Sequence, residues 1–507
     1  MNHLLTAPIL LPLLGGILQI FMSFAPLGLR RTLALATTTL LLVVAFSLLL
    51  MADDGTYRAY AFGNWAPPFG IVLVLDRLSA MMVFMTALLA FFCHIYSTRG
   101  TDAVGRHFHA LFLFQLLGLN IAFLTGDLFN LFVAFEVLLI ASYGLLMHGG
   151  GTARTVPGLH YVVLNLIGSS LFLIAVGLLY SVVGTLNMAD LAVKVPQVSG
   201  NDLLLVRAAG MLLLVVFALK AALLPLCFWL PRAYASATAP VAALFAVMTK
   251  VGIYAILRVY LLVFGDDAGP LAHLGMDWLF PLALVTLAAG VVGALGSDGL
   301  RKLVAWQVII SVGTLLAAIS LNTVASTSAA LFYLLNTTWV VGGLFLVVDL
   351  VARQRGSAQD RIVTAPRMRS RTLLSVLFLI GATAAAGLPP LSGFFAKVLI
   401  LESVQPGIEL GWLWGVILVG GFLTVVAYSR AGSIVFWRNV EGHVRDPGQL
   451  TLPVTVSAGA LIAMSLVIVA FAGPISRYTD ATAQQLHTPS AYIEILETPM
   501  VNGGDTL

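Results

Sequence analysis

FALKAALLPLCFWLPRAYASATAPVAALFAVMTK, residues 217–250, is apolar over most of its length yet carries Lys220, Pro225, Pro231, Arg232, Pro240 and Lys250. Proline removes a backbone donor and breaks the helical ladder. In a bilayer such a break is tolerated only where protein or water satisfies the freed carbonyls. The stretch therefore predicts two membrane helices joined at Arg232, the first interrupted near Pro225. A second stretch of the same kind is GLPPLSGFFAK, residues 387–397, with Gly387, Pro389, Pro390 and Lys397.

The composition around these stretches leaves lipid as the solvent. Of 507 residues, 60% are hydrophobic and only 9% are charged, with a mean hydropathy of +1.01. That lies outside the range of soluble globular chains. Apolar runs of about 20 residues, enough to cross a ~30 Å hydrocarbon core as helix, recur along the chain. They predict an all-α polytopic membrane protein of about fourteen transmembrane helices. These fall near residues 4–24, 32–51, 72–97, 107–125, 128–147, 158–183, 205–230, 239–264, 275–297, 300–321, 325–351, 372–404, 409–432 and 452–473. The first run has no basic region before it and no small-residue cleavage site after it, so it reads as a retained helix.

Counting sides from the N-terminus puts one set of loops at Arg30, Arg31, Arg99, Arg106, Arg154, Arg232, Arg301, Lys302, the run of arginines from Arg353 to Arg371, Arg430, Arg438 and Arg445. That set holds 17 of the 26 basic residues, whereas the other holds Asp53, Asp54, Asp190, Asp202, Asp266, Asp267, Asp277 and Glu409. By the positive-inside rule the basic set faces the cytoplasm and both termini face outward. One missed helix would reverse every later loop and destroy the asymmetry, so the number of spans is even. Broken spans seven and twelve lie five apart. They suggest two inverted five-helix repeats, at 107–264 (helices 4–8) and 275–432 (helices 9–13). Helices 1–3 then occupy 1–106, and helix 14 with a tail occupies 433–507.

Few ionisable groups remain at membrane depth: Lys220, Lys250 and Lys397, with Glu136 as the acid. A charge at the bilayer centre costs about 2.5–3.5 kcal/mol on insertion scales and marks a functional pathway by default. The plain alternative is a Glu136–Lys220 pair that locks helices together, although buried pairs are weak evidence for stability. A lysine's affinity for its proton falls with burial and rises beside a carboxylate, so a movable pair makes a switch. The expectation is three successive proton stations, the first tuned by Glu136. Pro225 and Pro390 would admit water at the breaks. Tyr254, Ser311, Thr314, Tyr333, Thr337 and Tyr428 could hold ordered water, or equally bond back to their own helices. His94, His107, His109, His148 and His160 read as interfacial, with His160 the one that could line an inner mouth. Asp76 and Arg77 open span three and read as interfacial too. Cys93 and Cys227 sit in apolar runs with no metal-ligand spacing. No motif suggests a metal, a cofactor, hydrolytic or redox chemistry, or nucleic-acid binding.

At these residues the chain resembles the antiporter-like subunits shared by proton-pumping NADH-quinone oxidoreductase (complex I) and Mrp-type (Pha-type) multisubunit cation/proton antiporters, and within the latter the D subunits. The resemblance rests on FEVLLIAS from Phe135, on residues 217–250, and on GLPPLSGFFAK from Gly387. It implies fourteen helices with inverted repeats, and proton translocation with Glu136 and Lys220 as the paired switch, Lys250 as the connecting residue and Lys397 as the terminal station. One departure stands in LFYLLNTTWVVGGLFL from Leu331: Tyr333, Thr337 and Val341 occupy a stretch that in many complex I members is histidine-rich and ends in lysine. Passage between Lys250 and Lys397 would then rely on water and hydroxyls, or be partly closed.

The function expected is a secondary ion transporter subunit rather than an enzyme: a proton-translocating member of a multisubunit Na+ or K+/proton antiporter in a bacterial inner membrane. Its partners would be other membrane subunits, protons, Na+ or K+, and the lipid bilayer, with no cofactor. The rivals are a proton-pumping membrane-arm subunit of complex I or a related respiratory complex, and a scaffold with vestigial charges.

Overall fold

The structure is a computed structural model that describes residues 2–65, 70–441 and 450–497; Arg445 lies outside them. In chain order come α1 (Ala7–Phe21), α2 (Leu27–Ala52), β1 (Arg58–Ala61), β2 (Val72–Leu75), α3 (Arg77–Ser97), α4 (Phe108–Leu124), α5 (Leu128–Leu146), α6 (Thr152–Val183), α7 (Met188–Lys194) and α8 (Asn201–Ala221). They are followed by α9 (Trp229–Ser236), α10 (Ala239–Phe245), α11 (Met248–Leu262), α12 (Met276–Leu295), α13 (Leu300–Ser320) and α14 (Val324–Gln354). The chain continues through β3 (Ala365–Pro366), α15 (Arg371–Ala386), α16 (Ser392–Glu402), α17 (Ile408–Gly432), β4 (Asn439–Val440), α18 (Leu452–Ala470), α19 (Ala472–His487) and α20 (Ser490–Glu497).

Among the described residues, 12 helices are long and apolar enough to cross a membrane, and α4 and α15 are shorter apolar helices. The chain is a polytopic all-α membrane protein. Helices dominate because, in hydrocarbon, each backbone donor must find its acceptor within its own segment. The expected start of span three at residue 72 is corrected. Residues 72–75 pair antiparallel with residues 58–61 as a hairpin, and α3 begins only at Arg77, capped by the Asp76 carboxylate.

The two broken helices are built alike. α8 ends with Ala222 in the left-handed region at φ 62°, and α15 ends with Gly387 there at φ 82°. In both, the next amide reaches back five residues, Leu223 N–H to the Ala218 carbonyl and Leu388 N–H to that of Thr383, the bond of a Schellman cap. Leu224–Pro225 and Pro389–Pro390 are cis. Neighbours recur as well: α4 packs on α5 as α12 packs on α13, and α6 touches both α8 and α9 as α14 touches both α15 and α16.

Close approach between helices is made by small residues, as is usual where lipid supplies no hydrophobic drive. A Cβ on Gly252 of α11 would lie 2.5 Å from the Ala221 nitrogen of α8. At the second break a Cβ on Gly393 would run into the Ala384 carbonyl.

The loops sort onto two faces. At one, Arg31 bonds Asp102, His148 bonds the Thr101 carbonyl, Arg154 bonds the Ser236 carbonyl, and Arg301 and Arg353 share Asp349. At the other, His3 stacks edge-on against Tyr60, and Gln485 of α19 ties to Gly55, Arg77 and Tyr57. Among the described residues, His3 near the start of the chain and Gln485 of α19 therefore lie at the same face as residues 55–60.

Candidate functional site

Each of the three membrane lysines is buried and held by neutral oxygens. Lys220, in the last turn of α8 and 5% exposed, points its Nζ at α6, toward the Asn165 carbonyl (3.3 Å), Asn165 Oδ1 (3.5 Å) and Ser169 Oγ (3.4 Å). The Phe135 ring lies 5.6 Å from that Nζ. Lys250, fully buried on α11, donates to Ser311 Oγ of α13 at 2.9 Å and lies 3.4 Å from Thr249 Oγ1. Lys397 of α16 donates to the Ala386 carbonyl at 2.6 Å, one of the groups freed where α15 ends. The end of the broken helix thus frees carbonyls from the helical ladder, and the ammonium caps one of them.

Glu136 is not in the locking pair with Lys220 that was the plain alternative to a movable switch. It sits on α5 near enough to act on Lys220 through space, but the two form no ion pair, and its buried Oε1 has no partner.

The other residues expected along the pathway divide. Tyr333 and Thr337 are buried on α14 beside Thr314 of α13. Ser311 and Thr314 also bond back to their own helix, at the Val308 and Ile310 carbonyls. Tyr254 belongs elsewhere. Its hydroxyl donates to the Phe123 carbonyl at 2.7 Å and accepts from Arg258. Pro225, Pro390 and His160 are exposed on the outer surface of this chain, and none touches a lysine ammonium.

Two buried networks were missed. Arg258, 3% exposed within α11, grips Asp76 in a bidentate pair at 2.6 and 2.8 Å, so the residue that opens α3 is buried in an ion pair rather than solvated. Its signal was present in the sequence, since Lys250, Tyr254 and Arg258 recur every four residues and line one helix face. His94 and His109, near helix ends as expected, are fully buried rather than solvated. They join Nε2 to Nδ1 at 2.8 Å, and His109 reaches Asp102 at 3.2 Å. Asp102 also receives two bonds from Arg31. Burial alone would push the Asp102 carboxyl up, but Arg31 and His109 outweigh it and hold the group well below the usual carboxylate range. His148, in the loop after α5, is pushed down by burial. No sequence pattern foretold Asn165 or Gln307, because an amide in an apolar run is as often bonded to its own helix.

Fold and site together define a class: polytopic α-helical membrane proteins with ionisable side chains set at breaks in their helices. Within it the chain belongs to the NADH:quinone oxidoreductase/Mrp antiporter transmembrane family, whose profile matches residues 125–426. It is 41% identical to the D subunit of a probable K(+)/H(+) antiporter of Rhizobium meliloti (strain 1021), over 98% of each chain. It is 35% identical to the D subunit of the Na(+)/H(+) antiporter of Bacillus subtilis (strain 168), over 97% of this chain and 99% of that one. Among solved structures it is similar to a chain of the Mrp complex from Dietzia sp. DQ12-45-1b, with a TM-score of 0.86, 27% identity, and 98% of this chain and 100% of that one covered.

Proposed function

We propose that this chain is the proton-carrying membrane subunit of a multisubunit Na+ or K+/proton antiporter, with Lys220, Lys250 and Lys397 as the groups that take up and release protons. The observation that carries the reading is the nature of the lysines' partners: amide, hydroxyl and carbonyl oxygens, not carboxylates. Neutral acceptors hold a lysine head group whether it is charged or neutral. Loss of a proton then leaves no buried unpaired anion behind, which would cost several kcal/mol. A merely structural lysine would be better served by a carboxylate in contact. Glu136, close to Lys220 but not bonded to it, is placed to change that site's charge balance by a small movement.

The recurring neighbours and caps of α8/α9 and α15/α16 support two related halves, at 107–264 and 275–432, each with one broken helix. The grouping of basic loops on one face supports a bacterial inner membrane orientation with both termini outward. The relatives' names favour an antiporter over a respiratory complex, and the other membrane subunits of such an antiporter would be the partners.

The test uses the whole complex in sealed vesicles. Single Lys220→Ala, Lys250→Ala and Lys397→Ala variants are expected to lower cation-driven proton movement by about tenfold or more at equal subunit content. Unchanged antiport in the triple variant would overturn the proposal.

A further inference from the structure

The stretch of α14 that runs past Val341 offers no titratable group between Lys250 and Lys397, but α13 does offer a polar one. We infer that Gln307 is a positioning residue that joins the central lysine to the terminal lysine, and that the two halves of the proton route meet along α13. The inference rests on the reading of this chain as a proton carrier.

Three contacts place Gln307 between the stations. Lys250 donates to Ser311 Oγ at 2.9 Å. Gln307 lies one helical turn before Ser311, on the same side of α13, and its Nε2 donates to the Ala385 carbonyl at 3.1 Å. The next carbonyl in the chain, that of Ala386, is the one held by Lys397 at 2.6 Å. Gln307 and Lys397 therefore grip adjacent carbonyls of one broken helix end, and Gln307 and Lys250 are linked through one turn of α13.

The chemistry of the amide decides which way round it sits. A backbone carbonyl can only accept, so Nε2 faces Ala385 and Oε1 is directed elsewhere. Gln307 is 1% exposed and Oε1 meets no donor from the protein. A buried acceptor left in this way is met by an ordered water. Such a water, bonded to Oε1 one helical turn from the hydroxyl that holds Lys250, would bridge the gap between Lys250 and the carbonyls under Lys397. Glutamine does not itself change charge here. It fixes the water that does the carrying.

The test is made in the assembled antiporter in sealed vesicles, with cation-driven proton movement read across pH 6–9, a range of about three units around neutrality. Gln307→Leu keeps the bulk and removes both polar atoms. It is expected to lower transport about tenfold at equal subunit content. Gln307→Glu keeps a water-binding oxygen but can donate to the Ala385 carbonyl only while protonated. It is therefore expected to recover rate at the acid end of the range and to lose it as pH rises, a pH profile the apolar variants do not show. Should Gln307→Leu fail to assemble, Gln307→Met, a slimmer apolar chain of the same length, is judged by the same readout. Wild-type transport in Gln307→Leu or Gln307→Met overturns the inference, and so do equal defects in the apolar and Glu variants with an unmoved pH profile, since packing alone would then explain them. Lys250→Ala, measured in parallel, separates the two levels. If it abolishes transport while Gln307→Leu does not, only the inference falls; if Lys220→Ala, Lys250→Ala and Lys397→Ala are all active, the reading beneath it falls as well.

Discussion

Asp102 shows how a short loop can carry a buried ionic corner in a chain with few charges. The carboxylate takes two bonds from Arg31 and one from His109, and His109 passes on to His94, so α2, α3 and α4 are tied at one face of the membrane. Arg31 is 30% exposed on its side chain, which moderates the strength of the pair. The folded pKa of Asp102 lies below its unfolded value, so the stabilisation is fully present above about pH 4, the ordinary carboxylate range. It is lost as pH falls through the depressed folded value. Asp102→Asn is therefore expected to lower the melting temperature of the purified complex by a few degrees at neutral pH, the effect of about 1–2 kcal/mol. The gap from the parent should narrow below about pH 4; a constant gap down to strong acid would mean that the carboxylate charge is not the cause.

Broken helices bring carbonyls to membrane depth, and close packing keeps them covered. Gly252 lets α11 lie against the backbone of α8 at the lysine-bearing turn, where an added Cβ would also come within 2.8 Å of the Phe217 carbonyl. Backbone on both sides leaves nothing flexible to yield. Gly252→Leu is expected to push α11 from α8 and cost about 1–3 kcal/mol, the usual range for overpacking. The checks are the yield of this chain in the purified complex and its melting temperature. Unchanged yield and melting would show that the two helices part without cost. At the first break the Leu224 amide is satisfied by Thr286 of α12 at 2.9 Å, so α12 supports the chain where α8 ends.

Across the whole molecule, loop contacts define two faces with opposite character. Asp54 is exposed in the loop that meets α19, and Arg361 is exposed in the arginine run. Cys93 and Cys227 are buried, so the parent protein gives a low background to a thiol reagent. In intact cells a membrane-impermeant maleimide is expected to label Asp54→Cys and to label Arg361→Cys only after permeabilisation. The reverse pattern would invert the orientation proposed for the whole chain.

The membrane spans were legible because lipid forces each segment to satisfy its own backbone, which leaves a long apolar run as the trace of every crossing. The breaks were legible from Pro225 and Pro390, since a missing donor is a local property of the residue. Lys220, Lys250 and Lys397 stood out by the cost of a charge in an apolar run. The partners of those groups were not legible. Glu136 and Lys220 suggested an ion pair by sign alone, yet the ammonium turned to Asn165 and Ser169 on a different helix. Asp76 read as an interfacial residue at the start of a span and met Arg258 across 182 positions of chain. Gln307 carried no charge to betray it. Depth in the bilayer follows from local hydropathy, which one segment states alone; hydrogen-bond partnership depends on which helix faces come together, and that is a property of the packed bundle.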